Sequence, residues 1–188
     1  LLKYGGDVAV GAMTVLTSTM QFAMMPLQGL SQGAQPIVSY NYGARNPQRV
    51  RDAFRCLLTA CLTYSAVLWL LVQSFPRLFV LLFNDNPALV DYASWALRIY
   101  MATSFMFGVQ IACQQTFVAL GNAKTSLFLA VLRKIILLIP LIYILPNFFA
   151  DKAFAVFLAE PVADFVAVVT TASMFAVQFK GSMAELEE

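Results

Sequence analysis

The chain has 188 residues, 60% of them hydrophobic and 12% charged, with a formal net charge of +2 and no histidine. Water-soluble domains carry about 45–50% apolar and about 25% charged residues, so this composition belongs to a chain solvated by lipid. The small net charge, placed in short loops instead of on one face, excludes a nucleic-acid binder, and the missing histidine removes the commonest general base and transition-metal ligand. Cys56, Cys61 and Cys113 sit in apolar runs without metal-ligand spacing. They are expected to be small buried hydrophobes, with neither a metal site nor a disulfide framework. The chain opens at Leu1 without a methionine or a basic stretch leading into a short apolar one, so no signal peptide is expected.

After Leu1 to Asp7, the first apolar span is predicted over about 8–40. That is about 50 Å of helix against a hydrocarbon core of about 30 Å, so it must tilt, bend at Pro26 or emerge into the cytoplasm. Its polar residues Thr14, Ser18, Gln21, Gln28, Gln32, Gln35 and Ser39 step by three, four or seven and form one stripe. Amides facing lipid would be unsatisfied, so this stripe is expected to face something wetter, with Gln32 and Gln35 as substrate-cleft candidates. The span ends at Tyr42-Gly43-Ala44-Arg45-Asn46, and Pro47 opens a second span over about 50–75 whose first turns carry Arg49, Arg51 and Arg55. Pro76 interrupts it, a short interfacial helix is expected over 78–83, and Asn84-Asp85-Asn86-Pro87 makes a turn.

A third span is predicted over about 88–120, closed by Gly121-Asn122 as a C-cap. It presents Thr103, Phe107, Gln110, Gln114 and Phe117 at helical spacing. This mixed polar and aromatic stripe, with Met101 and Met106 nearby, suits the wall of a pocket for amphipathic compounds. The fourth span, about 125–145, has Arg133 and Lys134 early and Pro140 in its middle. The fifth, about 152–179, contains Glu160, Pro161 and Asp164, and residues 181–188 form an acidic tail.

The expected fold is therefore all-α, a polytopic membrane bundle of five transmembrane helices. Arg45, Arg49, Arg51 and Arg55, then Lys124, then Lys180 mark one side as cytoplasmic, while Lys3, Arg77 and Lys152 on the other side are each accompanied by an acid. The N-terminus of this stretch is thus expected outside and its C-terminus inside, in the plasma membrane. An odd number of spans starting outside also predicts at least one further span before Leu1.

Several motifs resemble one family. Gly29-Leu30-Ser31-Gln32-Gly33-Ala34-Gln35-Pro36 with Tyr42-Gly43-Ala44-Arg45-Asn46 resembles the second or eighth helix of a MATE (multidrug and toxic compound extrusion) transporter. Ala119-Leu120-Gly121-Asn122-Ala123-Lys124 is similar to the exit of the tenth helix. Leu132-Arg133-Lys134 with Pro140 and Pro146, then Glu160-Pro161-Val162-Ala163-Asp164, resembles helices eleven and twelve of the MepA-like and DinF-like branch. The resemblance covers almost the whole chain and implies helices eight to twelve of a two-lobed transporter. It further implies a cation-coupled (H+ or Na+) antiporter of drugs or amphipathic organic compounds. The implied partners are the lipid bilayer, small amphipathic or cationic substrates and the absent N-terminal lobe, with no further cofactor. The family's acidic cation site on helices seven and ten does not carry over, since helix seven is absent and 98–120 has no carboxylate.

Glu160 and Asp164 are the acids well inside a predicted span. At i and i+4 they share a face, about 12 and 18 Å along the helix from its outer end, near the bilayer middle. Intramembrane acids are costly, which makes both candidates for binding the coupling ion. Pro161 frees one carbonyl as a further acceptor. Arg98, entering from the same side, is the expected charge partner, while Arg133 and Lys134 are expected to snorkel to the cytoplasmic headgroups. A flippase for a lipid-linked precursor with the same fold remains an alternative and requires a broad cationic cleft. A non-transporting membrane fragment is another. An intramembrane enzyme finds no activated nucleophile to support it.

Overall fold

The computed structural model describes the backbone of residues 2–187 and the side chains of residues 6–187. Leu1, Glu188 and the side chain of Lys3 lie outside the described residues. The chain runs through α1 (Leu2–Gly43), α2 (Pro47–Ser74), α3 (Pro76–Leu81), α4 (Pro87–Tyr100), α5 (Phe107–Ala119), α6 (Ala123–Val131), α7 (Ile139–Ile144) and α8 (Lys152–Glu187). A π-helical stretch, Leu132–Leu138, joins α6 to α7. Among the described residues, four helical segments are long and apolar enough to cross a membrane: Gly6–Gly43, Pro47–Ser74, Ala123–Asn147 and Lys152–Glu187. The pair Pro87–Tyr100 and Ser104–Ala119, bent by 47°, makes a fifth. The predicted all-α membrane bundle is the observed architecture.

Local chemistry fixes the segment ends. The Asn46 side chain accepts the Arg49 N–H at 3.1 Å, and Pro47, which has no N–H to lose, starts α2. Asn86 and Asn122 cap α4 and α6 in the same way. Gly121, at φ 81°, takes the left-handed position that ends α5. The short helix after Pro76 covers Pro76–Leu81, two residues earlier than expected, because the proline itself opens it.

The third span is broken where a continuous helix is expected. Between α4 and Phe107 the backbone passes through residues 101–103 and a single 3-10 turn, Ser104–Met106. Carbonyls around this break are taken by one face of α2. Ser65 Oγ donates to Phe105 O at 2.9 Å, Trp69 Nε1 to Ala102 O at 2.8 Å and Gln73 Nε2 to Arg98 O at 3.0 Å. Lipid offers no hydrogen bonds, so an irregular backbone is tolerated inside a membrane only with such protein partners. Residues 65, 69 and 73 recur every four, which puts all three donors on one stripe of α2.

Helix α8 is the most enclosed of the long spans. Ala155, Ala159, Ala163 and Ala167, all at most 1% exposed, form a stripe of small side chains that lets α4 and α5 come close. In lipid, where apolar burial does not drive helices together, close van der Waals packing takes over that task. Helix α8 also continues past Phe179, where the span was expected to give way to a separate tail. Residues through Glu187 remain helical, and Glu187 Oε1 is 2.7 Å from Arg51 Nη2 on α2. Cys61 and Cys113 are buried as expected, whereas Cys56 is exposed, in a shallow groove beside Gly33 and Ala34 of α1.

Helix α5 approaches α2 closely at Gly108. A Cβ built there would stand 2.5 Å from the carbonyl oxygen of Cys61 and 2.8 Å from the backbone nitrogen of Leu62. Both are main-chain atoms, so relief requires moving α2 away from α5. Gly108→Ala is expected to lower stability by about 2 kcal/mol or more, read as a reduced thermal midpoint of the detergent-solubilised protein.

Candidate functional site

Glu160 and Asp164 lie one turn apart on the buried face of α8, with side chains 6% and 1% exposed. Both are paired with the fourth span. Arg133 Nε donates to Asp164 Oδ1 at 2.5 Å, Arg133 Nη2 stands 3.8 Å from Glu160 Oε1, and Lys134 Nζ donates to that same Glu160 oxygen at 2.9 Å. The Arg133 guanidinium also lies 5.3 Å above the Phe107 ring, within cation–π range. Two cations and two carboxylates thus balance inside an apolar bundle, the condition under which buried charge is tolerated.

The backbone that carries the two bases follows from Pro140. A regular α-helix would need the Pro140 N–H to bond the Ile136 carbonyl, and proline has none. The preceding residues widen into the π-helical stretch Leu132–Leu138, which carries Arg133 and Lys134 at its start. The outer face of this span, including Leu127, Phe128, Ile135, Ile136, Ile139 and Ile144, is exposed and apolar, as lipid requires. On α8, Pro161 lies between the two acids, and its carbonyl accepts the Thr103 hydroxyl at 3.4 Å from the break in the third span.

Beside this cluster opens a cleft of about 420 Å³ lined by Thr17, Met20, Gln21, Met24, Met25 and Gln28 of α1, Tyr100 of α4, and Arg133 and Lys134. Thioethers and one aromatic ring give it soft apolar walls, and two amides and two cations give it polar points. Asp164 Oδ2 and Arg133 Nη2 are buried without a hydrogen-bond partner among the described residues.

Some sequence-predicted residues meet here and others do not. Glu160 and Asp164 do, but their partners are Arg133 and Lys134 and not Arg98. Arg98 is exposed on the other side of α4, in a surface hollow with Pro76, Arg77, Ser94 and Trp95. The expected snorkelling of Arg133 and Lys134 is corrected by the same contacts. The glutamine stripe of α1 does reach the cleft, though through Gln21 and Gln28. Gln32, exposed, and Gln35, half-buried, lie beyond it toward the C-terminal end of α1. The stripe predicted on the third span is mostly packing, because the 47° bend turns it onto α2 and α8. Phe117 is 1% exposed and meets Phe175 edge-on at 5.1 Å. The Gln114 amide donates to the Ser126 carbonyl at 3.1 Å, and Gln110 is buried with Oε1 unpartnered among the described residues. Phe107, also buried, touches the site only as the ring beneath Arg133. Tyr100 and the three methionines were missed. A Met-Gln repeat at 20, 21, 24, 25 and 28, on one side of a span, was the available signal.

The sequence model of the MatE family matches residues 1–144. The chain belongs to the MatE family. The multidrug export protein MepA of Staphylococcus haemolyticus (strain JCSC1435) is 23% identical over 171 residues, which is 90% of this chain and 37% of that protein. MepA of Staphylococcus aureus (strain N315) is 24% identical over 148 residues, 79% of this chain and 32% of MepA. Among solved structures, the MATE multidrug transporter DinF-BH in complex with R6G is 32% identical. Its TM-score is 0.79, over 94% of this chain and 39% of that one. A MATE crystal structure in the bent conformation matches 100% of this chain and 41% of its own, with a TM-score of 0.91 at 15% identity. The chain therefore spans about two-fifths or less of the MatE-family relatives it matches.

Among the described residues, removing Arg133 would leave Asp164 buried with no hydrogen-bonded cation, whereas Arg98 has no comparable partner to strand. Arg133→Ala is expected to destabilise the protein by about 3 kcal/mol, and Arg98→Ala by about 0.5 kcal/mol or less, in thermal unfolding of the solubilised protein.

Proposed function

We propose that this chain forms most of one lobe of a secondary active transporter that exports amphipathic organic compounds, in antiport with H+ or Na+. The observation that carries the reading is the charge-balanced cluster of Arg133, Lys134, Glu160 and Asp164 beside an open cleft walled by methionines and glutamines. A transporter site near the bilayer midplane needs soft apolar surface for varied substrates. It also needs an ionisable group whose occupancy alternates, and the cluster and cleft supply both.

Asp164, with Glu160 one turn before it, is the group that binds and releases the coupling ion. Its second oxygen, Oδ2, has no hydrogen-bond partner among the described residues and is the natural seat for that ion. An absent N-terminal lobe faces the cleft, and rocking of the two lobes opens the cleft to each side in turn. The arginines at 45, 49, 51 and 55 hold the α1–α2 turn on the cytoplasmic side, so α8 runs inward from Lys152 and its C-terminal end is cytoplasmic. The chain acts as a carrier, with no bond-making step. A lipid-precursor flippase has less support, since each cation of the cluster is matched by a carboxylate.

The test is retention of a fluorescent cationic dye by cells carrying the full-length gene, with membrane levels of each variant matched. The wild-type protein is expected to lower retention, and Asp164→Asn to restore it to that of cells lacking the gene. Equal retention with wild-type and Asp164→Asn contradicts the assignment.

A further inference from the structure

Lys134 differs from the other members of the cluster. Its side chain is 54% exposed, against 17% for Arg133, 6% for Glu160 and 1% for Asp164. It lines the cleft and at the same time donates to Glu160 Oε1 at 2.9 Å. Arg133 is committed to Asp164 and reaches the same Glu160 oxygen only at 3.8 Å, outside hydrogen-bond range. The one cation hydrogen-bonded to Glu160 among the described residues is therefore a half-exposed ammonium at the cleft wall.

A buried carboxylate requires a cation, but chemistry does not specify which one. Lysine carries a compact charge on a flexible four-carbon stem, and a half-exposed ion pair of this kind is weak enough to open. Around it, Met20, Met24 and Met25 offer thioethers, and Tyr100 an aromatic ring, to the apolar body and charge of an organic cation. Gln21 and Gln28 offer amide oxygens and nitrogens to its polar substituents.

We propose that Lys134 is a tethered substitute for the transported cation. An organic cation entering the cleft replaces the ammonium at Glu160, while Lys134 turns into the water of the cleft. When the cation leaves, Lys134 returns to the carboxylate. Glu160 is then never left buried and unpaired, so the empty lobe can change its orientation without stranding a charge in the membrane. Arg133 stays on Asp164 throughout and keeps α8 aligned with the fourth span. The exchange rests on the reading of the cleft as the substrate site. It makes Lys134 a determinant of affinity that opposes binding in place of supporting it.

The experiment is equilibrium binding to the full-length protein in lipid nanodiscs, in alkaline buffer that keeps the freed carboxylate ionised. The probes are tetraphenylphosphonium, a cation without a transferable proton, and neutral triphenylphosphine oxide. Lys134→Gln and Lys134→Met, two neutral replacements of different polarity, are each expected to tighten tetraphenylphosphonium binding by about fivefold. Binding of triphenylphosphine oxide is expected to stay unchanged, and Lys134→Arg to bind the cation as the wild-type protein does. Glu160→Gln weakens cation binding, and adding Lys134→Gln to it has no further effect. Unchanged or weaker cation binding by both neutral variants contradicts the exchange alone, as does tightening that persists beside Glu160→Gln. A wild-type protein that binds no tetraphenylphosphonium overturns the substrate-site reading as well.

Discussion

The contact on which the rest of this structure depends is the ion pair between Arg133 and Asp164. A guanidinium and a carboxylate buried in an apolar bundle are each costly, and each is tolerable only while the other is present. The pairing therefore dictates which face of the fourth span turns inward, and it fixes that face against α8. With Arg133 turned in, Leu127, Phe128 and the isoleucines of the same span are left to face the acyl chains. The small-residue stripe of α8 then brings α4 and α5 close enough for the Phe107 ring to underlie the guanidinium.

Three departures from regular helix meet around this pair. The π-helical stretch before Pro140 sets Arg133 and Lys134, Pro161 separates the two acids, and the break at residues 101–103 brings Thr103 to the Pro161 carbonyl. At the break, α2 supplies three side-chain donors. Irregular backbone inside a membrane bundle is confined to places where protein or an aqueous cavity can satisfy it. Here it borders the cleft of about 420 Å³ that combines polar and apolar walls with Arg133 and Lys134. The scaffold on the far side, with Gly108 against Cys61 and Trp69 against Ala102, is by contrast close-packed.

Much of this was legible in the residues. Long apolar runs, proline and glycine punctuation and the asymmetry of loop charges define five spans. The i, i+4 spacing of Glu160 and Asp164 places both acids on one face. Their partners were not legible, because the choice among Arg98, Arg133 and Lys134 depends on which helices pack together, and depth alone favoured Arg98. Charges ten residues into an apolar span look the same whether they snorkel or pair. On α1, helical spacing gives the face of the glutamine stripe and not the level at which a cleft opens, so spacing does not separate Gln21 and Gln28 from Gln32 and Gln35. On the third span, helical spacing suggested a substrate wall from Thr103 to Phe117. A 47° bend, invisible in hydropathy, redirects that face into the core.

If the Arg133–Asp164 pair organises the bundle, the two residues must be energetically coupled and not merely close. A double-mutant cycle on the full-length protein, with Arg133→Ala, Asp164→Ala and the double variant followed by thermal or denaturant unfolding in detergent, measures that coupling directly. The structure predicts an interaction free energy of about 2 kcal/mol or more, with the double variant more stable than the sum of the single losses implies. Single losses that add to within about 0.5 kcal/mol would mean the two residues act independently, and would contradict it.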